Sequence, residues 1–166
     1  MIDVRRIRIR EAHSVRELVR EATAELATRY PEDDIGISAS GLDNLETAFR
    51  VGAVHEDEVT LVAVDGKEIV GFASAWITRG RATPGTAGEI GWCWARPGDG
   101  RERVERELAQ ATVTWLQERG VGAIFRMEDA HDPRREPWES VGFEADVVRY
   151  SRYVGRTNRG ATGRSG

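Results

Sequence analysis

Between Glu89 and Gly120 the chain runs as an apolar strand, a Pro97-Gly98-Asp99-Gly100 turn and a long amphipathic helix. Val104, Leu108, Ala111, Trp115 and Leu116 fall on one stripe at helical spacing, and Gly120 with Gly122 ends the helix. The first turn of a helix leaves about four backbone N–H groups without internal partners and carries a partial positive charge. A strand opening into such a helix can therefore hold an anion, typically a phosphate. The alternative is a helix start that faces only water.

The 166 residues are enough for one domain, with 40% hydrophobic and 31% charged residues, as expected of a soluble globular chain. No apolar run approaches the roughly 18 residues of a membrane span. The N-terminus is basic and alternating, without a signal-peptide core, so a cytoplasmic address follows by elimination. The net charge of −4 argues against nucleic acid as a partner. Cys93 is the only cysteine, which excludes a disulfide within the chain, and its apolar strand suits a small packed hydrophobe.

Residues 4–10 alternate apolar and basic, the period of a half-exposed strand. Ser14 and Glu17 read as a capping box opening a helix that Pro31 closes, and Leu42, Leu45 and Phe49 suggest a shorter second helix. Between them lies an acidic loop with Glu32, Asp33 and Asp34. Residues 59–64 and 68–77 are two strands joined at Asp65-Gly66, a hairpin signal. After a loop over 79–88 come the strand 89–95, the long helix, a strand over 123–128, a loop at 129–133, a short helical turn opened by Pro137, and a closing strand over 143–154. The order β-α-α-β-β-β-α-β-α-β indicates an α/β (α+β) domain with a mixed central sheet and helices on both faces. Residues 1–154 are read as this single domain, and the apolar-poor tail 155–166 as disordered.

That order, with the Val64-Asp65-Gly66-Lys67 hairpin, the strand-Pro97-helix unit and the Gly142-Phe143 pair, resembles the GCN5-related N-acetyltransferase (GNAT) superfamily. The likeness runs from Val4 to Val154. Trp115 and Gly120 match a common helix aromatic and the helix-ending glycine, and Trp138-Glu139-Ser140-Val141-Gly142-Phe143 is similar to the family's Phe-Tyr-Glu-x-x-Gly-Phe ending. The ungapped register puts the Arg/Gln-x-x-Gly-x-Gly/Ala signature on Gly100, Arg103 and Glu105, and none of the three matches. A register using Gly98 and Gly100 would break the spacing to Trp115.

The resemblance implies an N-acetyltransferase that moves an acetyl group from acetyl-CoA to a primary amine, or a GNAT-fold binding module that has lost this activity. It places the co-substrate along Trp92, Trp94 and Arg96, at the helix start with Gly100, Arg101, Glu102, Arg103 and Val104, and beside Trp138. Arg101 and Arg103 are expected to pair with phosphates. Glu105 points a carboxylate at the same anion unless it turns outward or pairs with an arginine. Main-chain N–H groups of Trp92, Cys93 or Trp94 are expected to polarise the thioester carbonyl.

Glu89 stands where several members carry the glutamate that deprotonates the amine through water; an exposed strand-end carboxylate is the other reading. Trp138 replaces the tyrosine that protonates the departing thiolate, and an indole cannot give up that proton. His131, where the family often has an asparagine near the pantetheine, is the titratable substitute; a solvated loop histidine is the alternative. The acidic loop favours a cationic acceptor, and Trp76, Trp92 and Trp94 either line the acceptor cleft or fill the core. Membership also leaves a homodimer open.

Overall fold

The computed structural model describes residues 1–29, 37–79, 86–126 and 136–144. Five strands form one sheet in the order β1-β2-β3-β4-β5: Ile2–Arg6, Glu58–Asp65, Glu68–Arg79, Thr86–Ala95 and Ala123–Arg126. β1 to β4 pair antiparallel and β5 joins β4 in parallel, so the sheet is mixed. The helices are α1 (Ala12–Arg29), α2 (Ala39–Gly52), α3 (Arg101–Gln117) and the single turn α4 (Glu136–Glu139).

Strand alternation sends side chains to two cores. Val62, Phe72 and Trp94 pack with Val15, Leu18, Val19 and Ala22 of α1 and with Phe49 of α2. Val59, Leu61, Ala63, Ala73, Ala75 and Ile90 pack with Val104, Leu108, Val113 and Leu116 of α3 and with Trp138 of α4. Gly88 lets α3 approach the sheet, since a Cβ there would come 2.7 Å from Leu116. Among the described residues no helix is long and apolar enough to cross a membrane.

Several boundaries differ from the sequence expectations. β1 stops at Arg6 rather than Arg10. Ile7 turns into the core and its N–H bonds Thr60 O at 2.9 Å, while Ile9–Glu11 forms a single 3-10 turn. The first helix starts at Ala12, not at Ser14. Glu11 substitutes for the expected box by accepting from the Arg8 N–H at 2.8 Å and from Arg5 at 2.8 and 2.9 Å. The second helix is 14 residues long, capped by Ser38, whose hydroxyl accepts from the Gly41 N–H at 3.1 Å.

In the hairpin Asp65 pairs with Glu68, so the two-residue turn is Gly66-Lys67 rather than Asp65-Gly66. Gly66 alone has positive φ (61°), which is the residue pattern of a type II′ turn. β4 begins at Thr86, earlier than the expected Glu89. The acidic loop Glu32 to Asp34, His131, most of the expected closing strand and the tail lie outside the described residues.

Candidate active site

The site is built on an irregularity in β4. Ala73 pairs with Cys93 and Ala75 with Ile90, so Gly91 and Trp92 together stand opposite Ser74. This two-against-one arrangement is a β-bulge, which bends the strand and re-aims its side chains. Gly91 is required there: a Cβ would meet the Trp76 ring at 2.6 Å and Ser74 Oγ at 2.9 Å. The described β4–β5 pairing runs from Ala87↔Ala123 to Ile90↔Arg126, up to the residue before the bulge. Arg126 spans this point, donating to Gly91 O at 2.5 Å and lying 4.1 Å over the Trp138 ring.

β4 then leads through Pro97 into the turn. Gly98 and Gly100 have φ of 148° and 90°, and Gly100 is the left-handed N-cap of α3. Among the described residues, each glycine's chain neighbours aside, no atom lies within 4 Å of where a Cβ would stand on either glycine, so a side chain there would meet open space. Among the described residues the N–H groups of Glu102 and Arg103 have no acceptor, as expected for a first helical turn. The Val104 N–H is already bonded to Gly100 O at 3.0 Å, and its side chain lies in the core.

The arginines of this region are paired. Arg101 grips both oxygens of Glu25 on α1 at 2.9 and 3.0 Å, and its Nε donates to Glu105 at 3.0 Å. Burial pulls the Arg101 pKa down, but the hydrogen bond to Glu25 and the charge of Glu105 outweigh it and hold it above the ordinary value. The Trp94 indole donates to Glu25 at 2.8 Å, and the buried Glu105 also accepts from the Ala95 N–H at 3.3 Å. Arg96 grips Glu21 of α1 at 2.8 Å through two nitrogens and also meets Glu68. That bond to Arg96 keeps the Glu21 carboxyl below its usual range.

Arg103 is exposed and pairs with Glu107 at 2.8 Å; Glu102 is exposed in the same turn. Glu105 thus takes the arginine partner anticipated for it. Glu25, 76 residues from Arg101, carries no sequence signal for that contact.

On the α1–α2 face of the sheet, Trp76 and Glu89 are cross-strand partners, with the indole Nε1 donating to Glu89 Oε2 at 3.0 Å. Both are half-buried, as is Trp92, whereas Trp94 is buried. The Trp92 N–H, one of the expected carbonyl-polarising donors, bonds Ser74 Oγ at 3.0 Å. Cys93 faces α3, its Sγ 3.8 Å from Glu105 O. Trp138 is buried on the α3 face, edge-on to Phe143 with ring centroids 5.5 Å apart. Glu89 and Trp138 are therefore on opposite faces of the sheet.

A mixed sheet whose fourth strand bulges and then opens through a glycine turn into a helix start is the acetyltransferase type of α/β domain. The model of the acetyltransferase (GNAT) family matches residues 13–143, and the chain belongs to that family. No curated protein matches the sequence.

Among solved structures, the chain is similar to glucosamine-6-phosphate N-acetyltransferase from Arabidopsis thaliana (TM-score 0.66, 14% identity, covering 92% of this chain and 98% of that one). It is also similar to an aminoglycoside acetyltransferase from an uncultured soil metagenomic sample, in complex with sisomicin (TM-score 0.66, 15% identity, 92% and 96% covered). A transcriptional regulator from Bacillus halodurans C-125 aligns as well (TM-score 0.70, 18% identity, 93% and 100% covered). At these identities the likeness concerns the fold.

Proposed function

We propose that this chain is an acetyl-CoA-dependent N-acetyltransferase acting on a primary amine of a small molecule or protein. The observation that carries the reading is the β4 bulge at Gly91-Trp92, followed by the open Gly98–Gly100 turn of α3. The turn suits a diphosphate: its glycines are unobstructed, and the N–H groups of Glu102 and Arg103 have no acceptor among the described residues. Acetyl-CoA supplies a thioester whose carbonyl accepts the amine. Gly100, Glu102 and Arg103 would hold the diphosphate through the main chain, with Arg103 able to leave Glu107 for a phosphate. Arg101 and Arg96 act as ties to α1 rather than as ligands.

Glu89 is the proposed base. Its half-buried carboxylate on the α1–α2 face takes a proton from the acceptor, directly or through water. An arginine keeps its proton at neutral pH, so Arg126, over Trp138, would answer charge on sulfur electrostatically rather than by protonating it. A cationic amine fits the negative cleft residue, and a neighbour in complex with sisomicin supports an amine acceptor.

The test is release of free thiol from acetyl-CoA over a panel of polyamines, aminoglycosides and lysine peptides, with wild type and Glu89→Gln. Turnover by the wild type that Glu89→Gln reduces at least tenfold is expected. Equal rates in the two would remove Glu89 as base. A second reading, a GNAT-fold binding module without acetyl transfer, draws on Glu105, whose carboxylate already occupies the Ala95 N–H beside the turn. Binding of acetyl-CoA without thiol release over the whole panel would favour it.

A further inference from the structure

The contact between Trp76 and Glu89 does more than join two strands. The indole Nε1 lies 3.0 Å from Glu89 Oε2, and among the described residues Glu89 Oε1 has no hydrogen bond. The ring is seated by the bulge: its Cζ3 and Cη2 lie 2.6 and 3.0 Å from where a Gly91 Cβ would be. Trp92, the other bulge residue, is pinned by its N–H to Ser74 Oγ at 3.0 Å. An indole N–H donates and never accepts, so it can hold one carboxylate oxygen without competing for a proton. A hydrogen bond to an ionised acceptor is also stronger than a neutral one.

We propose that Trp76 is the positioning residue of the acceptor cleft, fixing the Glu89 carboxylate through Oε2 so that Oε1 receives the acceptor's proton, with Gly91 as the seat of the Trp76 ring. This rests on the proposed function for its catalytic part. The proton passes from the acceptor ammonium to Oε1; the freed amine lone pair forms the C–N bond as the C–S bond of acetyl-CoA breaks with its electron pair leaving on sulfur. The second proton shed by the nitrogen passes through water to that thiolate, giving the amide and free CoA thiol.

The experiment has one arm independent of activity. In a 1H–15N spectrum of the full chain, the cross-peak absent from Trp76→Phe identifies the Trp76 indole. That cross-peak is expected to move in Glu89→Gln and in Gly91→Ala, which touches neither donor nor acceptor atom. An unmoved Trp76 cross-peak in both variants overturns the proposal, whether or not the protein turns over any amine.

In the second arm, Trp76→Phe keeps the aromatic bulk and loses the donor. It is expected to lower kcat roughly 10- to 100-fold while leaving the KM for acetyl-CoA unchanged. A general loss of structure would instead move both constants and the melting temperature. Unchanged kcat in an active, folded Trp76→Phe overturns the positioning role. A cross-peak that moves in both variants as expected, with a wild type that releases no thiol on any amine, overturns the proposed function alone, leaving Trp76 as the group that fixes Glu89 in a binding cleft.

Discussion

Arg101 makes three hydrogen bonds to two carboxylates carried by different helices, Glu25 on α1 and Glu105 on α3 itself. Its side chain is only 15% exposed, so removing it takes a largely buried cation from Glu105 and one of two arginines from Glu25, whose other is Arg29 at 2.8 Å. Arg101→Ala is therefore expected to lower stability by about 2–4 kcal/mol, whereas Arg103→Ala, on an exposed pair, changes it by less than about 0.5 kcal/mol. Urea unfolding separates the two; equal midpoints for Arg101→Ala and wild type would remove the strut. In the sequence Arg101 and Arg103 look alike, because a helix start with two arginines says nothing of which faces α1. Burial, set by the tertiary fold, makes one a tie and leaves the other at the surface.

Glu11 shows the same effect in a titratable group. The hydrogen bond from Arg5 outweighs partial burial and, with the Arg8 N–H, holds its carboxyl at about 2 against an ordinary 4.5. A depressed carboxyl stabilises the fold fully above its unfolded pKa and loses that contribution as pH falls through the folded one. Wild type should thus exceed Glu11→Gln by roughly 1–2 kcal/mol above about pH 4.5, after allowance for screening, and the two should converge near pH 2. A gap that stays constant across this range in pH-dependent unfolding would show that the Arg5 pair is not its source.

At the scale of elements, long amphipathic stretches were legible and their ends were not. The 3.6-residue stripe of α3 and the alternation of β2 and β3 depend on many residues agreeing, so an error at one changes little. The end of β1 depends on one tertiary event, Ile7 turning inward onto Thr60, which no local pattern marks. The β4 bulge is similar: Gly91 in a strand suggests an irregularity, but only the Trp76 ring shows why a side chain is excluded. Helix α3 on β4 offers a direct test. Gly88→Ala puts a methyl 2.7 Å from Leu116, whose neighbours leave it fully buried, and is expected to cost about 1–3 kcal/mol. A thermal midpoint equal to wild type would mean that the helix can slide on the sheet.

For the whole molecule, the fold and the site separate into what the main chain does and what side chains do. The open glycine turn at the start of α3 and the β4 bulge are backbone features, so they are present although the family's signature residues are missing at Arg103 and Glu105. The acceptor depends on side chains from distant elements, and one loop expected to supply them lies outside the described residues. On the proposed reading the co-substrate is held mainly through the backbone, so it should stabilise the fold even where individual side chains are replaced. Acetyl-CoA at about 100 times its Kd is expected to add about 2.7 kcal/mol, on the order of 5–10 °C in melting temperature for a domain of this size. The increment should persist in Arg103→Ala at somewhat higher concentration. It should shrink in Gly100→Pro, where a fixed negative φ cannot reproduce the observed 90°. An increment in Gly100→Pro as large as in wild type would place the diphosphate elsewhere than the start of α3.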